Sequence, residues 1–106
     1  MLKFDEKGLI PAIIQDADTG EVLMLGFMNE ESLRRTIKSQ EVWFYSRTRQ
    51  ELWHKGSTSG NIVKVKEIRY NCENSSLLVT GCPAGPVCHT GHKTCYYREL
   101  TDKEFK

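Results

Sequence analysis

The run Cys88-His89-Thr90-Gly91-His92-Lys93-Thr94-Cys95 constrains this chain more than any other stretch. Two thiols bracket two imidazoles, and so many metal-competent groups seldom gather in so short a span for packing alone. With Cys72 upstream the chain offers three thiolates for zinc. Three protein ligands plus one open position is how a catalytic zinc holds water, whereas structural sites close with four ligands. No Cys-x-x-Cys pair occurs, so the spacing is not that of a zinc ribbon.

Other readings of the four cysteines, Cys72, Cys82, Cys88 and Cys95, stay open at this level: two disulfides, inert buried thiols, or a redox or nucleophilic cysteine. The amino terminus, Met1-Leu2-Lys3-Phe4-Asp5-Glu6-Lys7, carries charges and no apolar run, unlike a secretory signal. The expected location is therefore the reducing cytoplasm, where cysteines bind metal, catalyse or simply pack.

At 106 residues the whole chain, 1–106, is expected to be a single domain. It can bury about two-thirds of its unfolded surface, so the core is modest and a metal or a second subunit would help it. A net charge of +1 argues against a general nucleic-acid binder, which should be globally basic. No apolar span is long enough for a membrane helix.

Residues 9–15 and 21–27 flank the turn-forming Asp16-Ala17-Asp18-Thr19-Gly20 and read as a β-hairpin. Pro11 predicts an edge strand or a bulge. Asn29 is placed to cap a helix over 30–39, with Met28 and Leu33 at staple positions and Leu33 with Ile37 as the buried stripe. Glu30/Arg34 and Glu31/Arg35 are i,i+4 pairs for the wet face. Strands are expected at 42–46, 61–66, 77–80 and 95–100. The apolar parity flips from Val63/Val65 to Ile68/Tyr70, which predicts a bulge near Glu67. The expected class is a β-dominated α+β fold with one main helix.

Residues 46–60 form a second chemical stretch. Arg47 and Arg49 supply fork-shaped donors and Lys55 a point charge. Ser46, Ser57, Thr58 and Ser59 are short hydroxyls, and Gly56 and Gly60 let backbone N–H groups approach a ligand, as a phosphate site requires. Trp53, with Trp43, offers a flat face. The plain alternative is a solvated basic loop, since no Walker-type glycine spacing is present.

Taken together, Trp43 through Arg49, Leu52 through Gly60, and Cys88 through Cys95 resemble the signature blocks of the phosphoribosyl-AMP cyclohydrolase family of histidine biosynthesis. Leu9-Ile10-Pro11-Ala12 and Leu23 through Asn29 match as well, so the resemblance runs over roughly residues 9 to 98. It implies hydrolytic opening of the adenine ring of phosphoribosyl-AMP between N1 and C6, with a zinc-bound hydroxide attacking C6 as in the zinc deaminases. It further implies Zn2+ on Cys72, Cys88 and Cys95, and proton transfer by His89. The Arg47, Arg49, Lys55 and Ser57–Gly60 groups would hold the two phosphates. A curled, pseudobarrel-like mixed sheet and an intertwined homodimer sharing zinc ligands between subunits follow from the same resemblance. In some members this unit is fused to a pyrophosphohydrolase; with the chain ending at Lys106, a stand-alone cyclohydrolase is expected.

Two places depart from the family pattern. The family carries Asp-Cys-Asp-x-Asp, three carboxylates for magnesium, around the first zinc cysteine. Here Asn71-Cys72-Glu73-Asn74-Ser75 retains one carboxylate, so Asn71, Glu73 and Ser75 are expected to give a modified Mg2+ site of weaker affinity. Gly81-Cys82-Pro83-Ala84 is also unlike the family, and Cys82 has no expected role. Two other functions compatible with the residues are a zinc hydrolase of this fold acting on another purine nucleotide and a non-catalytic, zinc-stabilised nucleotide- or RNA-binding module.

Overall fold

The computed structural model describes residues 1–105. Strands β1 (Ile10–Asp16) and β2 (Val22–Met28) form the expected antiparallel hairpin. The helix α1 (Glu30–Ser39) follows, then β3 (Trp43–Ser46), β4 (Glu51–His54), β5 (Val63–Tyr70), β6 (Leu77–Pro83) and a short α2 (Asp102–Phe105). The main sheet has the order β2-β1-β6-β5 and is mixed, because β1 runs parallel to β6 while the other pairs are antiparallel. The chain is thus α+β, strand-dominated, with one principal helix. No helix among the described residues is long and apolar enough to cross a membrane.

Alternation builds the core. Ile10, Ala12 and Ile14 of β1 point inward and meet Leu77 and Val79 of β6, with Leu23, Met28, Val42 and Phe44 closing the cluster. Burying each large side chain of this kind contributes about 1.5–3 kcal/mol. Phe44 is accommodated by Gly26 in β2, where a Cβ would stand 2.5 Å from the ring. The bulge expected near Glu67 lies in β5 between Val65 and Glu67 and shifts Ile68 onto the core face.

Several expectations are corrected. Residues 51–54, read as loop, form β4 and pair with β3 from Trp43↔His54 to Ser46↔Glu51. Their short alternation is invisible beside the polar turn at 47–50 that precedes them. Residues 95–100 form no strand. Their exposed side chains, Tyr96 and Leu100 among them, have no sheet face to pack on. Pro11 lies in an interior strand, not at an edge. It pairs with Phe27 of β2, and the ladder to β6 begins one residue later at Ala12↔Leu77, so its missing N–H removes no bond from that ladder.

The helix is capped as its sequence predicts. Asn29 Oδ1 accepts from Ser32 N at 2.8 Å, and Ser32 Oγ accepts from Asn29 N at 2.9 Å. Its buried face is Ser32, Leu33 and Thr36, while Ile37, expected in the stripe, is 55% exposed. The polar Thr36 takes the inward position because its hydroxyl receives Trp43 N at 3.0 Å and donates to Ser32 O at 2.8 Å, tying α1 to β3. Both i,i+4 ion pairs form on the wet face.

Candidate active site

The segment after β6 folds back on itself. Val87 N donates to Lys93 O at 3.1 Å and Cys88 N to His92 O at 3.2 Å, leaving His89, Thr90 and Gly91 as the tip. Gly91 has φ +92°, a left-handed conformation that glycine adopts without steric cost. Val87 anchors the loop in the core at 2% exposure. Downstream, Cys95 N donates to Leu23 O at 2.8 Å and Thr94 Oγ1 to Val22 O at 2.8 Å, so β2 fixes the second thiol. These bonds bring Cys88 and Cys95 beside each other.

Their surroundings differentiate the two thiols. The Thr90 hydroxyl, 3.0 Å from Cys88 Sγ, together with the Thr90 backbone N–H, pulls the Cys88 thiol below its ordinary range. Desolvation, with the neighbouring Cys88, pushes the Cys95 thiol up. Thr90 Oγ1 is also 2.9 Å from His92 Nδ1. His92 in turn stacks on Tyr97, centroids 3.7 Å apart. His89 is exposed at the tip.

A cleft of about 340 Å³ lies between this loop and the turn that follows β4, with Trp53, Lys55, Thr58, Ser59, Cys88 and His89 on its walls. Gly56 has φ +86°, and a Cβ there would stand 2.3 Å from the Asn61 carbonyl carbon. Gly60 N closes the turn on Gly56 O at 2.8 Å, exposing Ser57, Thr58, Ser59 and Gly60. Lys55 is different. It is 8% exposed, donates its ammonium to the Val87 carbonyl, and is held below the ordinary lysine range by burial, an effect that the Cys95 and Cys88 thiols oppose.

The other cationic candidates do not share this turn. Ser46, Arg47 and Arg49 lie at the opposite end of β4, a four-residue strand or roughly 13 Å away at about 3.3 Å per residue. There Arg47 stacks over Phe27 at 3.9 Å and Arg49 stands 3.5 Å from Glu51. Trp43 faces away from the cleft, stacked on His54 at 4.6 Å, while Trp53 packs tilted on Phe44 at 5.5 Å. His54 is engaged by Glu41 at 2.7 Å.

Cys72 stands apart, exposed on the turn between β5 and β6. Among the described residues no three His, Cys, Asp or Glu side chains of one chain gather as a metal site. Two adjacent soft thiols, one of them readily ionised, suit zinc as half of a ligand set. All four cysteines are free, and Cys82 sits exposed on β6 opposite Lys64.

The residues expected for magnesium do not fit that ion. Asn71 Oδ1 accepts from Ser75 N at 2.7 Å and Ser76 N at 3.0 Å, and Asn71 Nδ2 donates to Ser75 Oγ at 3.1 Å. The turn is closed by its own amide, and Glu73 carries its only carboxylate. A hard cation held mainly by carboxylates finds too few of them here.

Sequence reasoning misses Thr90, Asp16 and the Val87 carbonyl as supports of the thiol loop. Thr90 lies inside the quoted motif, and a hydroxyl two residues from a thiol is the available signal. Asp16 carries none, since its partner Lys93 is distant in sequence.

The chain matches the phosphoribosyl-AMP cyclohydrolase family over residues 24–97. It is 55% identical over 103 residues to the histidine biosynthesis bifunctional protein HisIE of Bacillus subtilis (strain 168), covering 97% of this chain and 49% of that protein. It is 57% identical over 95 residues to the phosphoribosyl-AMP cyclohydrolase of Lacticaseibacillus casei (strain BL23), covering 90% of this chain and 86% of that one. With the protein of that name from Clostridium botulinum (strain Alaska E43 / Type E3) it shares 50% over 101 residues, 94% of this chain and 93% of that one. The chain therefore spans about half the length of the bifunctional relatives and most of the length of the others. On the strength of the matched blocks and of these identities, the chain belongs to the phosphoribosyl-AMP cyclohydrolase family.

Proposed function

We propose that this chain hydrolyses phosphoribosyl-AMP at the N1–C6 bond of its adenine ring, giving the phosphoribosylformimino-aminoimidazole carboxamide ribotide of the third step of histidine biosynthesis. The observation that carries this reading is the single cleft walled by the thiol loop and the Gly56–Gly60 turn, segments far apart in sequence. The names of the full-length relatives point the same way. A hydroxyl-rich turn at one end of β4 and two arginines at the other suit a substrate with one phosphate on each of two riboses. The Ser57–Gly60 turn would take one phosphate and Arg47 with Arg49 the other, as bidentate donors.

Cys88 and Cys95 of one chain, with Cys72 of a second copy, would hold zinc; this division suits the separation of Cys72 from the pair. The chemistry zinc supplies when bound is a water acidified toward neutrality and a Lewis acid beside the ring. Trp53 offers the base a stacking face. His89, on the wall of the cleft, would move the protons as general acid and base. In the balanced step the water oxygen bonds to C6, the C6–N1 bond breaks, and N1 receives a proton. In this reading two copies intertwine and together complete a curled, pseudobarrel-like sheet. The free thiols suit a reducing cytoplasm. Magnesium has no step in it.

The test is turnover of phosphoribosyl-AMP, followed by the ultraviolet change on ring opening, with and without a zinc-selective chelator. Turnover that chelation abolishes and added zinc restores is the expected result. A zinc-loaded protein that leaves phosphoribosyl-AMP intact would rule the assignment out.

A further inference from the structure

The environment of Lys55 is not that of a phosphate ligand. Its backbone N–H donates to Val42 O at 3.1 Å, which fixes the residue at the end of β4. Its side chain is 8% exposed and runs inward, with the ammonium 5.3 Å from the Trp53 ring centroid. That ammonium donates to the carbonyl of Val87, the residue immediately before Cys88. An ammonium taken out of water must find acceptors and counter-charge nearby. The acceptor here is the thiol loop's own backbone, with the Cys88 and Cys95 thiols beside it. Arg47 and Arg49, by contrast, keep their heads at the surface, as anion ligands do.

The loop has few other anchors at this end. Val87 is held from one side by its buried side chain and from the other by Lys55. Its own N–H, at 3.1 Å from Lys93 O, only closes the loop on itself. The Val87–Cys88 peptide, and with it the sulfur, is held by two bonds, Lys55 on the carbonyl and His92 O on the Cys88 N–H at 3.2 Å, and releasing the carbonyl would leave only the second.

We infer that Lys55 is a positioning residue of the thiol loop and not a phosphate ligand: by holding the Val87 carbonyl, its buried ammonium sets where the Cys88 sulfur stands relative to Cys95. The consequence for metal affinity rests on the zinc reading above. The placement of the loop does not.

Lys55→Met keeps the aliphatic stem and removes the donor. Zinc affinity, read by competition with a chromogenic chelator, should fall about 10–100-fold, the range seen when partners that orient metal ligands are removed. Amide exchange at Val87–Cys95 in the metal-free protein should quicken, while the KM for phosphoribosyl-AMP changes little. Unchanged zinc affinity and exchange together with a raised KM would overturn the inference. If the wild-type protein takes up no zinc, the metal reading fails while exchange still decides the role of Lys55. A second measurement needs no variant: in wild-type protein, Lys55 should resist amine acylation with or without inorganic phosphate. Ready labelling that phosphate blocks would make it an anion ligand and sink the proposal.

Discussion

Lys93 Nζ stands 3.2 Å from Asp16 Oδ2, joining the thiol loop to the end of β1. The same ammonium lies 3.2 Å from Glu21 Oε1, so the β1–β2 turn grips the loop through two carboxylates. Asp16 is 6% exposed and also accepts from the backbone N–H groups of Asp18 and Thr19. The Asp18 N–H and then Lys93 hold its carboxyl below the ordinary range, against the opposing effect of desolvation.

The sign of the pH dependence follows. A carboxylate depressed on folding adds stability above its unfolded pKa, about 3.9 for Asp, and loses it as the pH falls through the lower folded value. Asp16→Asn should therefore be less stable than wild type at neutral pH, with the gap constant above about pH 5 and closing as acid is added. Urea midpoints across that range measure it. A gap that widens toward low pH would contradict the assignment.

Zinc sharing can be tested by complementation. Cys72→Ser and Cys88→Ser proteins should each fail to retain zinc. Refolded together they should regain part of it, because in the proposed mixed dimer one of the two sites pairs the intact Cys72 of one chain with the intact Cys88 and Cys95 of the other. Metal analysis of the mixture decides between this and a site built within one chain, which mixing cannot repair.

The helix cap should be separable from the chemistry. Asn29→Ala removes the acceptor of Ser32 N and half of the reciprocal capping pair, at a cost of about 1 kcal/mol. Chemical denaturation reads this loss. Because α1 contributes no side chain to the walls of the cleft, zinc content should not change.

Magnesium should leave this protein's melting temperature unmoved at millimolar concentration, since the Asn71 amide already satisfies the turn. Asn71→Asp combined with Ser75→Asp, beside Glu73, supplies three carboxylates and should create a magnesium-dependent rise, as expected when an ion binds only the folded state. A saturable magnesium response in the wild type that Glu73→Gln removes would show that the native turn binds the ion.

By itself the sequence determined what local chemistry controls. The β1–β2 hairpin, the Asn29-capped helix, the bulge before Glu67 and the run of thiols and imidazoles each depend on residues within a few positions of one another. Tertiary structure decided the rest, because distant packing partners outweigh local pattern. Thr36 displaced Ile37 from the buried face by bonding to Trp43, and β4 emerged from apparent loop by pairing with β3. The contiguous basic stretch at 46–60 was split between two ends of a hairpin. Lys55, polar by its neighbours in sequence, was drawn inward because Val87, 32 residues on, presents it with a carbonyl.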